Sequence, residues 1–381
     1  MTTISKLLNR AEERGIKLGL ENMHRMDAAF GSPSGAFPSV HIAGTNGKGS
    51  VATKIAAALH HSGLKVGLYT SPHISSLQER IQINGQLIPE GKLEEHLTSI
   101  FALNFIRPTF FEITTMAALL YFAQEKVDLA VLEVGMGGRL DATNIVTPLL
   151  SVITTIDYDH TRYLGTTLDA IAQEKAGIIK PEVPVLLGPN AQPFTLFYSI
   201  AKEKNAPLHR LQETFSDFET ENRAIARRAC ELLPYPSSDE ALEIQPPCRF
   251  EVIQKQIPII LDVAHNPAAF RALFQKLESH FPGQSVRALV ALSADKELEP
   301  SLALLSSRTS TLHLTQAPFP RAAPVESLSP YIQSKNVILN PDLSSAFDEA
   351  YQMASERGEL LLITGTFYIM DKIKLKLADV S

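Results

Sequence analysis

Two hydrophobic periods alternate along this chain. Short apolar-rich runs stand at 40–43, 65–70, 128–135, 151–156 and 183–187, that at 128–135 nearly continuous. Between them, apolar residues recur at helical spacing over 89–104, 112–125, 167–177, 191–204 and 219–233. An amphipathic helix is expected over 3–14. A loop with Gly15, Gly19, Gly31, Pro33 and Gly35 should follow it. Ile81-Gln82-Ile83 alternates and runs into Asn84-Gly85, a turn pair. The runs at 40–43 and 65–70 flank one helical stretch, which predicts a strand–helix–strand crossover and a parallel pair. Pro234, Pro236, Pro246 and Pro247 then interrupt the pattern between 234 and 248. Beyond them the alternation restarts, with strands at 257–261, 285–291, 310–314, 335–339 and 359–363. Helices are expected at 267–279, 296–306 and 342–353. The pattern predicts an α/β protein with a larger N-terminal domain, 1–243, on a parallel-rich sheet, and a smaller C-terminal α/β domain, 244–381.

One junction carries more than fold. Val40-His41-Ile42-Ala43 leads through Gly44-Thr45-Asn46-Gly47-Lys48-Gly49-Ser50 into Val51, Ile55 and Leu59 at helical spacing. Glycines at a strand-to-helix turn let backbone N–H groups converge, and the helix start adds its own free N–H groups and dipole. Lys48 supplies a mobile positive charge, and Ser50 a hydroxyl that can reach a phosphate-bound metal. The stretch departs from the ordinary phosphate loop. Ile42 stands where that pattern has its first glycine, and Gly49 separates Lys48 from Ser50. Three glycines, a lysine and a serine together favour a nucleoside triphosphate cradle over a plain glycine turn.

Composition narrows the class. With 381 residues the chain has room for two or three domains. A net charge of −6 argues against a broad nucleic-acid-binding surface. Cys230 and Cys248 make neither a disulfide framework nor a metal cluster, which points to a reducing compartment. No apolar run approaches a membrane span, and no apolar signal core follows Met1. A soluble cytoplasmic protein, with no nucleic-acid or membrane partner, is the expectation.

Several polar residues stand where apolar strands end, at the sheet edge where open α/β folds gather ligands. Glu133 and Ser71 are oxygen donors suited to a divalent cation; a salt bridge to Arg139 is the plainer reading of Glu133. His160, beside Asp159, reads on residues alone as a hydrogen-bonded structural histidine, because magnesium prefers oxygen. Lys175 lies late in a helix before Gly177, where a lysine ordinarily complements the helix dipole. Arg249 reads as a surface arginine. Asp262 and His265 would face the mouth of the second sheet, with Asn266 capping the helix that Pro267 begins.

Ala43 to Ser50 resembles the signature of the ATP-dependent Mur ligase superfamily, and more narrowly its folylpolyglutamate synthase and dihydrofolate synthase branch. Leu68-Tyr69-Thr70-Ser71-Pro72-His73, Glu79-Arg80-Ile81, Leu132 to Asn144, Glu174 to Pro181, Asp262 to Pro267 and Gly365-Thr366-Phe367 match that branch in order. The resemblance implies a Mur-ligase-like fold with a P-loop-type ATP-binding domain. Thr45, Asn46, Gly47, Lys48, Gly49 and Ser50 would wrap the ATP phosphates, with Asn222, Arg249, Asp262 and His265 as further nucleotide contacts. Ser71, Glu133 and His160 match magnesium ligands, which displaces the structural reading of His160. Lys175 matches a lysine carbamylated in relatives, where it helps bind a second Mg2+. Lys48, Lys175 and His160 are the implied catalytic set. Ile16-Lys17-Leu18, Thr109-Phe110-Phe111 and Leu140-Asp141-Ala142 fall where relatives bind dihydropteroate.

The implied reaction joins L-glutamate to dihydropteroate, to the glutamate tail of a reduced folate, or to both, through an acyl phosphate, in a monomer. The alternatives are a ligase acting on a peptidoglycan precursor and a non-catalytic nucleotide-binding protein. Asn22, where the branch often has arginine, Lys17, where some members have aspartate, and Cys248 and Val263, in place of glycines, are the departures.

Overall fold

The computed structural model describes residues 3–332 and 336–379. The chain divides into two compact units, one of residues 1–157 and 164–245, the other of residues 158–163 and 246–381.

The first unit is built on eight strands: β1 (Ser39–Ala43), β2 (Val66–Tyr69), β3 (Ile81–Ile83), β4 (Gln86–Leu87), β5 (Leu129–Glu133), β6 (Leu150–Ile153), β7 (Val185–Leu187) and β8 (Leu208–Arg210). Their order is β4-β3-β2-β5-β1-β6-β7-β8. From β2 to β8 the pairs are parallel, and only the β2–β3–β4 edge is antiparallel. The central strands β1 and β5 are buried along their whole length, which is why β5 reads as a nearly continuous apolar run.

The expected pairing of β1 with β2 is corrected here. The two run in the same direction, but β5 lies between them and pairs with both. A crossover fixes hand and direction, not adjacency, and the more continuously apolar β5 takes the central place. Two apolar clusters cover the sheet's faces. One gathers Met23, Met26, Tyr69, Phe122 and Leu132; the other gathers Val40, Ile42, Ile55, Leu59 and Val131. Each such side chain contributes on the order of 2 kcal/mol through burial.

The expected loop before β1 contains a helix, Glu21–Ala29, that buries Asn22, Met23 and Met26. Its flanking glycines and proline masked the short apolar stripe. The helix expected from 112 begins at Phe110, where Thr109 accepts from the Glu112 N–H and Glu112 reaches back to the Thr109 N–H.

The second unit carries β9 (Glu251–Gln254), β10 (Pro258–Leu261), β11 (Val286–Val290), β12 (Thr311–Leu314), β13 (Val337–Leu339) and β14 (Leu360–Thr364), in the order β13-β12-β11-β14-β10-β9. All neighbours are parallel except the β9–β10 edge. The strand expected at 335–339 is described only from residue 336, residue 335 lying outside the described residues. Strands β8 and β9 and the helix Met370–Asp379 were not anticipated: the two strands are short and half exposed, and their alternation is too brief to stand out.

Candidate active site

In the first unit, β1 delivers the chain into a tight turn and then the helix Lys48–His61. Gly47 is left-handed (φ 83°), and a Cβ there would sit 2.3 Å from Asn222 Oδ1. A Cβ on Gly44 would lie 1.9 Å from Thr154 Oγ1. The turn is therefore held by neighbours that a side chain would displace. Thr154 and Thr155 supply that hold. The Thr45 N–H donates to Thr155 O (2.8 Å), the Asn46 N–H to Thr155 Oγ1 (3.0 Å), and the Thr154 hydroxyl to Asn46 O (2.6 Å). Thr45 Oγ1 also exchanges hydrogen bonds with the Asp157 backbone. The first-turn residues Lys48, Gly49 and Ser50 precede the Val51 N–H to Gly47 O bond, so their N–H groups lie beyond the reach of the helix's own carbonyls.

Two lysines converge on this turn. Lys48 Nζ donates to Gly44 O (3.0 Å) and Thr45 O (3.1 Å), folding over the loop. Lys175 is buried, not solvated as an ordinary dipole-complementing lysine would be, and donates to Gly44 O at 2.8 Å. Glu133, at the end of β5, is buried and accepts from the Ser71 N–H at 2.9 Å. Its carboxylate lies 3.2 Å from where a Gly49 Cβ would stand. Arg139, the partner considered for it, pairs with Glu174 at 2.8 Å. Buried carboxylate, serine and phosphate-loop start thus come together in one unit. The donor set suits a divalent cation whose remaining ligands are phosphate oxygens. Among the described residues no three His, Cys, Asp or Glu side chains gather as a metal cluster, so protein side chains alone do not build a cage.

The three segments implied for the acid substrate also lie in this unit. Ile16, Lys17 and Leu18 are exposed, and Arg14 ties the preceding turn to Pro108 O at 2.6 Å, next to Thr109. Phe111 packs on Gly135, where a Cβ would come within 2.4 Å of its ring, and against Tyr69. Phe110 lies under the Arg80 guanidinium (5.1 Å), whose Nε–H donates to His73 Nδ1 at 2.9 Å. Burial, with the Arg80 charge second, lowers His73 to about 4 and keeps it neutral. Asn22 donates to Glu112 Oε2 (3.2 Å), and so props the cap that starts the Phe110 helix.

Asp141 sits beside half-buried Leu140 and buried Ala142 and accepts from the Met136 N–H (2.9 Å), the Thr143 N–H (3.0 Å) and the Thr143 hydroxyl (2.5 Å). Burial raises its pKa against those bonds. The Thr143 hydroxyl proton is committed to Asp141, so His41 Nε2–H is the donor in the 2.7 Å His41–Thr143 contact. Burial first, then Lys180, lowers His41 to about 3 and fixes it neutral.

The second unit holds the other set. His160, in a left-handed conformation (φ 51°), and Asp159 lie on the 158–163 segment. The His160 backbone N–H donates to Asp159 Oδ1 at 2.9 Å. Lys296 Nζ stands 2.7 Å from Asp159 Oδ1 and 3.3 Å from His160 Nε2. An ammonium is a donor only, so it meets the ring's lone pair. His265 Nε2 lies 3.5 Å from Asp159 Oδ2, and its Nδ1 is 2.9 Å from Val263 O. Burial pulls the Asp159 pKa upward, but Lys296 and the two histidines outweigh it and hold the carboxyl well below its ordinary value. Asp262 accepts from the Phe250 and Ala264 N–H groups, both at 2.8 Å. Arg249 is half-buried with its guanidinium 5.1 Å over Phe367, not a free surface arginine. Asn266 caps the helix Pro267–His280 through the Ala269 N–H (2.9 Å). Cys248 takes a left-handed conformation (φ 56°), the geometry a glycine adopts without strain.

Sequence reasoning missed Thr154, Thr155, His41 and Lys296. Only Lys296 left a signal, an Asp-Lys pair just after the apolar strand β11.

Comparison with known proteins falls on the same segments. The Mur ligase middle domain family matches residues 42–211, and the Mur ligase glutamate ligase domain family matches 248–367. The dihydrofolate synthase/folylpolyglutamate synthase of Bacillus subtilis is 32% identical, over 95% of this chain and 96% of its own length. The Escherichia coli protein of the same name is 32% identical over 95% and 92%. The solved structure of E. coli FolC in complex with DHPP and ADP superposes with a TM-score of 0.91 at 30% identity, covering 100% of this chain and 99% of that one. A bifunctional folylpolyglutamate synthase/dihydrofolate synthase with Mn, AMPPNP and L-glutamate bound gives 0.89 at 31%, covering 99% and 98%.

Proposed function

This chain belongs to the folylpolyglutamate synthase/dihydrofolate synthase family, and from that membership and its site geometry we infer how its residues divide the work of ATP-dependent glutamate ligation. It is an ATP-dependent ligase of folate glutamylation that uses a nucleotide and a divalent metal. The observation that carries the assignment of roles is the convergence of Lys48, Lys175, Glu133 and Ser71 on the Gly44–Ser50 turn.

Thr45 to Ser50 surround the phosphates, and the N–H groups and dipole of the helix start offset their charge. Lys48 leaves the Gly44 and Thr45 carbonyls to meet the γ-phosphoryl group, stabilising the charge that develops as the substrate carboxylate attacks it. The bond from the γ-phosphorus to the β–γ bridging oxygen breaks, leaving ADP and an acyl phosphate. The amino group of glutamate attacks that carbonyl, expels phosphate and forms the amide. Ser71, Glu133 and, once Lys296 leaves its Nε2, His160 are the residues we assign to hold magnesium, which would neutralise phosphate charge. Asn222, Arg249, Asp262 and His265 complete the nucleotide contacts. Lys175 is assigned as a carbamate, formed when its neutral amine adds carbon dioxide and releases a proton; the new carboxylate would help hold a second magnesium. Intact mass under neutral conditions with bicarbonate should show the added carbon dioxide, and a bare amine would remove this assignment.

The acid substrate rests on Ile16-Lys17-Leu18, Thr109-Phe110-Phe111 and Leu140-Asp141-Ala142, with Asp141 held by Thr143 and His41. Flat aromatic faces beside a buried carboxyl suit a pterin ring with its N–H donors. We propose that both dihydropteroate and the glutamate tail of a reduced folate are accepted, by a monomer. Phosphate release with ATP, magnesium and glutamate, tested separately with each acid, checks this. Release with only one acid makes the enzyme monofunctional, and release with neither removes the assignment. A light-scattering mass above one chain would overturn the monomer.

A further inference from the structure

Lys54 lies in the middle of the helix that the phosphate loop begins, yet none of its side chain reaches solvent. Its ammonium has three donors and three acceptors: Glu219 Oε1 at 2.6 Å, Leu242 O at 2.7 Å and Ile244 O at 2.7 Å. A buried ammonium is tolerated when it is fully paired, and a well-packed apolar residue at such a site is often as stable or more so. Stability alone therefore gives no reason for a lysine here. What an apolar residue lacks is the ability to grip two backbone carbonyls and a carboxylate at once.

The three acceptors belong to two segments with separate duties. Glu219 is in the first turn of the helix Phe218–Glu231, three residues from Asn222 and so on the same face. Asn222 Oδ1 is the atom that a Gly47 side chain would strike. Leu242 and Ile244 lie on the last stretch of the first unit, which ends at Gln245. That stretch runs along the nucleotide helix. The Ser238 N–H donates to Ala58 O at 3.0 Å, and Leu242 is buried in the cluster that holds Ile55 and Leu59. Exposed pairs from Arg223 to Glu243 and Arg227 to Asp239 add little beside these buried contacts.

We propose that Lys54 is a positioning residue that couples nucleotide binding at the phosphate loop to the segment by which the chain leaves the first unit. The inference rests on the reading of Gly44–Ser50 as a nucleotide cradle. Nucleotide that orders the loop and Asn222 also orders the Lys54 helix and Glu219, and through the ammonium the carbonyls of Leu242 and Ile244. By reciprocity, loosening that exit segment weakens nucleotide binding by the same factor.

Hydrogen exchange over residues 238–245, with and without AMPPNP and magnesium, tests this together with nucleotide affinity. In the full-length protein, nucleotide should slow exchange in this segment by about tenfold, within the range of ordinary coupling energies. In Lys54→Met the segment should exchange fast and respond little to nucleotide, while the KM for ATP rises more than kcat falls. Lys54→Arg, which keeps charge and donors, should restore part of the response. Glu219→Gln serves as a milder second variant if Lys54→Met does not fold: it keeps the carbonyl grips, and the nucleotide response should shrink without vanishing. A nucleotide response in Lys54→Met equal to that of the native protein would overturn the coupling, as would a native protein that binds nucleotide with no change at 238–245. Failure of the native protein to bind nucleotide at all would instead remove the cradle reading on which the coupling rests.

Discussion

At Gly44 and Gly47 the backbone of the first unit runs so close to Thr154 and Asn222 that a single methyl group would overlap them. Around Asp159 in the second unit the spacing is set by charge: one carboxylate faces Lys296, His265 and, through its own backbone, His160. The two regions carry most of the polar residues assigned to ligand binding. Their difference lies in what each tolerates. A site made of backbone fails when bulk is added. A network of side-chain charges fails when one charge is taken away, and it is repaired when the opposite charge is taken too.

The largest effect should come from the one mobile charge in the backbone-built site. Lys48→Ala should lower substrate-dependent phosphate release by about 10²–10³-fold, the scale of a lost transition-state charge partner. Its thermal midpoint should stay near that of the native protein, because the carbonyls it releases can be met by water. A variant that melts much lower would show instead that Lys48 holds the loop together.

Bulk comes next. Gly47→Ala adds a Cβ 2.3 Å from Asn222 Oδ1 at a left-handed residue. A cost of about 1–3 kcal/mol in denaturant stability is expected from the overlap, together with loss of nucleotide binding. Shortening the struck side chain sharpens the comparison: Gly47→Ala with Asn222→Ala should recover stability without recovering activity.

In the second unit, Lys296→Met should destabilise by about 3 kcal/mol, because Asp159 is left buried with its charge uncompensated. Adding Asp159→Asn should return most of that loss, a coupling read from the double-mutant cycle. Simple additivity of the two substitutions would break the contrast drawn between the two regions.

That contrast also explains what the sequence disclosed. Tight backbone approaches demand glycine, so the Gly44–Ser50 turn is visible in the sequence, as are β5 and β10, whose burial forces nearly continuous apolar runs. The Glu21–Ala29 helix escaped because its stripe is Met23 and Met26 alone between glycine-rich flanks. The insertion of β5 between β1 and β2 escaped because strand order is a long-range choice that no local period records. Lys296 and Lys54 escaped for a related reason. A charged residue shows its partner only when the chain folds back, and Lys54 meets Leu242 and Ile244 across almost the whole first unit.

Acidification gives a smaller test, read through His41 in the first unit and His313 in the second. Burial lowers His41 to about 3, with Lys180 contributing, and burial with the Arg287 charge lowers His313 to about 4. A histidine whose folded pKa lies below its unfolded value of about 6.5 binds its proton first in the unfolded chain. Its contribution is therefore complete above that value and is lost as pH falls toward the folded pKa. Between pH 6.5 and pH 5 each should cost about 2 kcal/mol of denaturant stability. His313→Leu should remove that share of the acid loss from the second unit, and His41→Leu from the first. Because His41 also braces Thr143 against Asp141, only the His41 substitution should raise the KM for the acid substrate. An equal kinetic effect from both would mean that the His41–Thr143–Asp141 line holds the fold alone and has no part in placing the substrate.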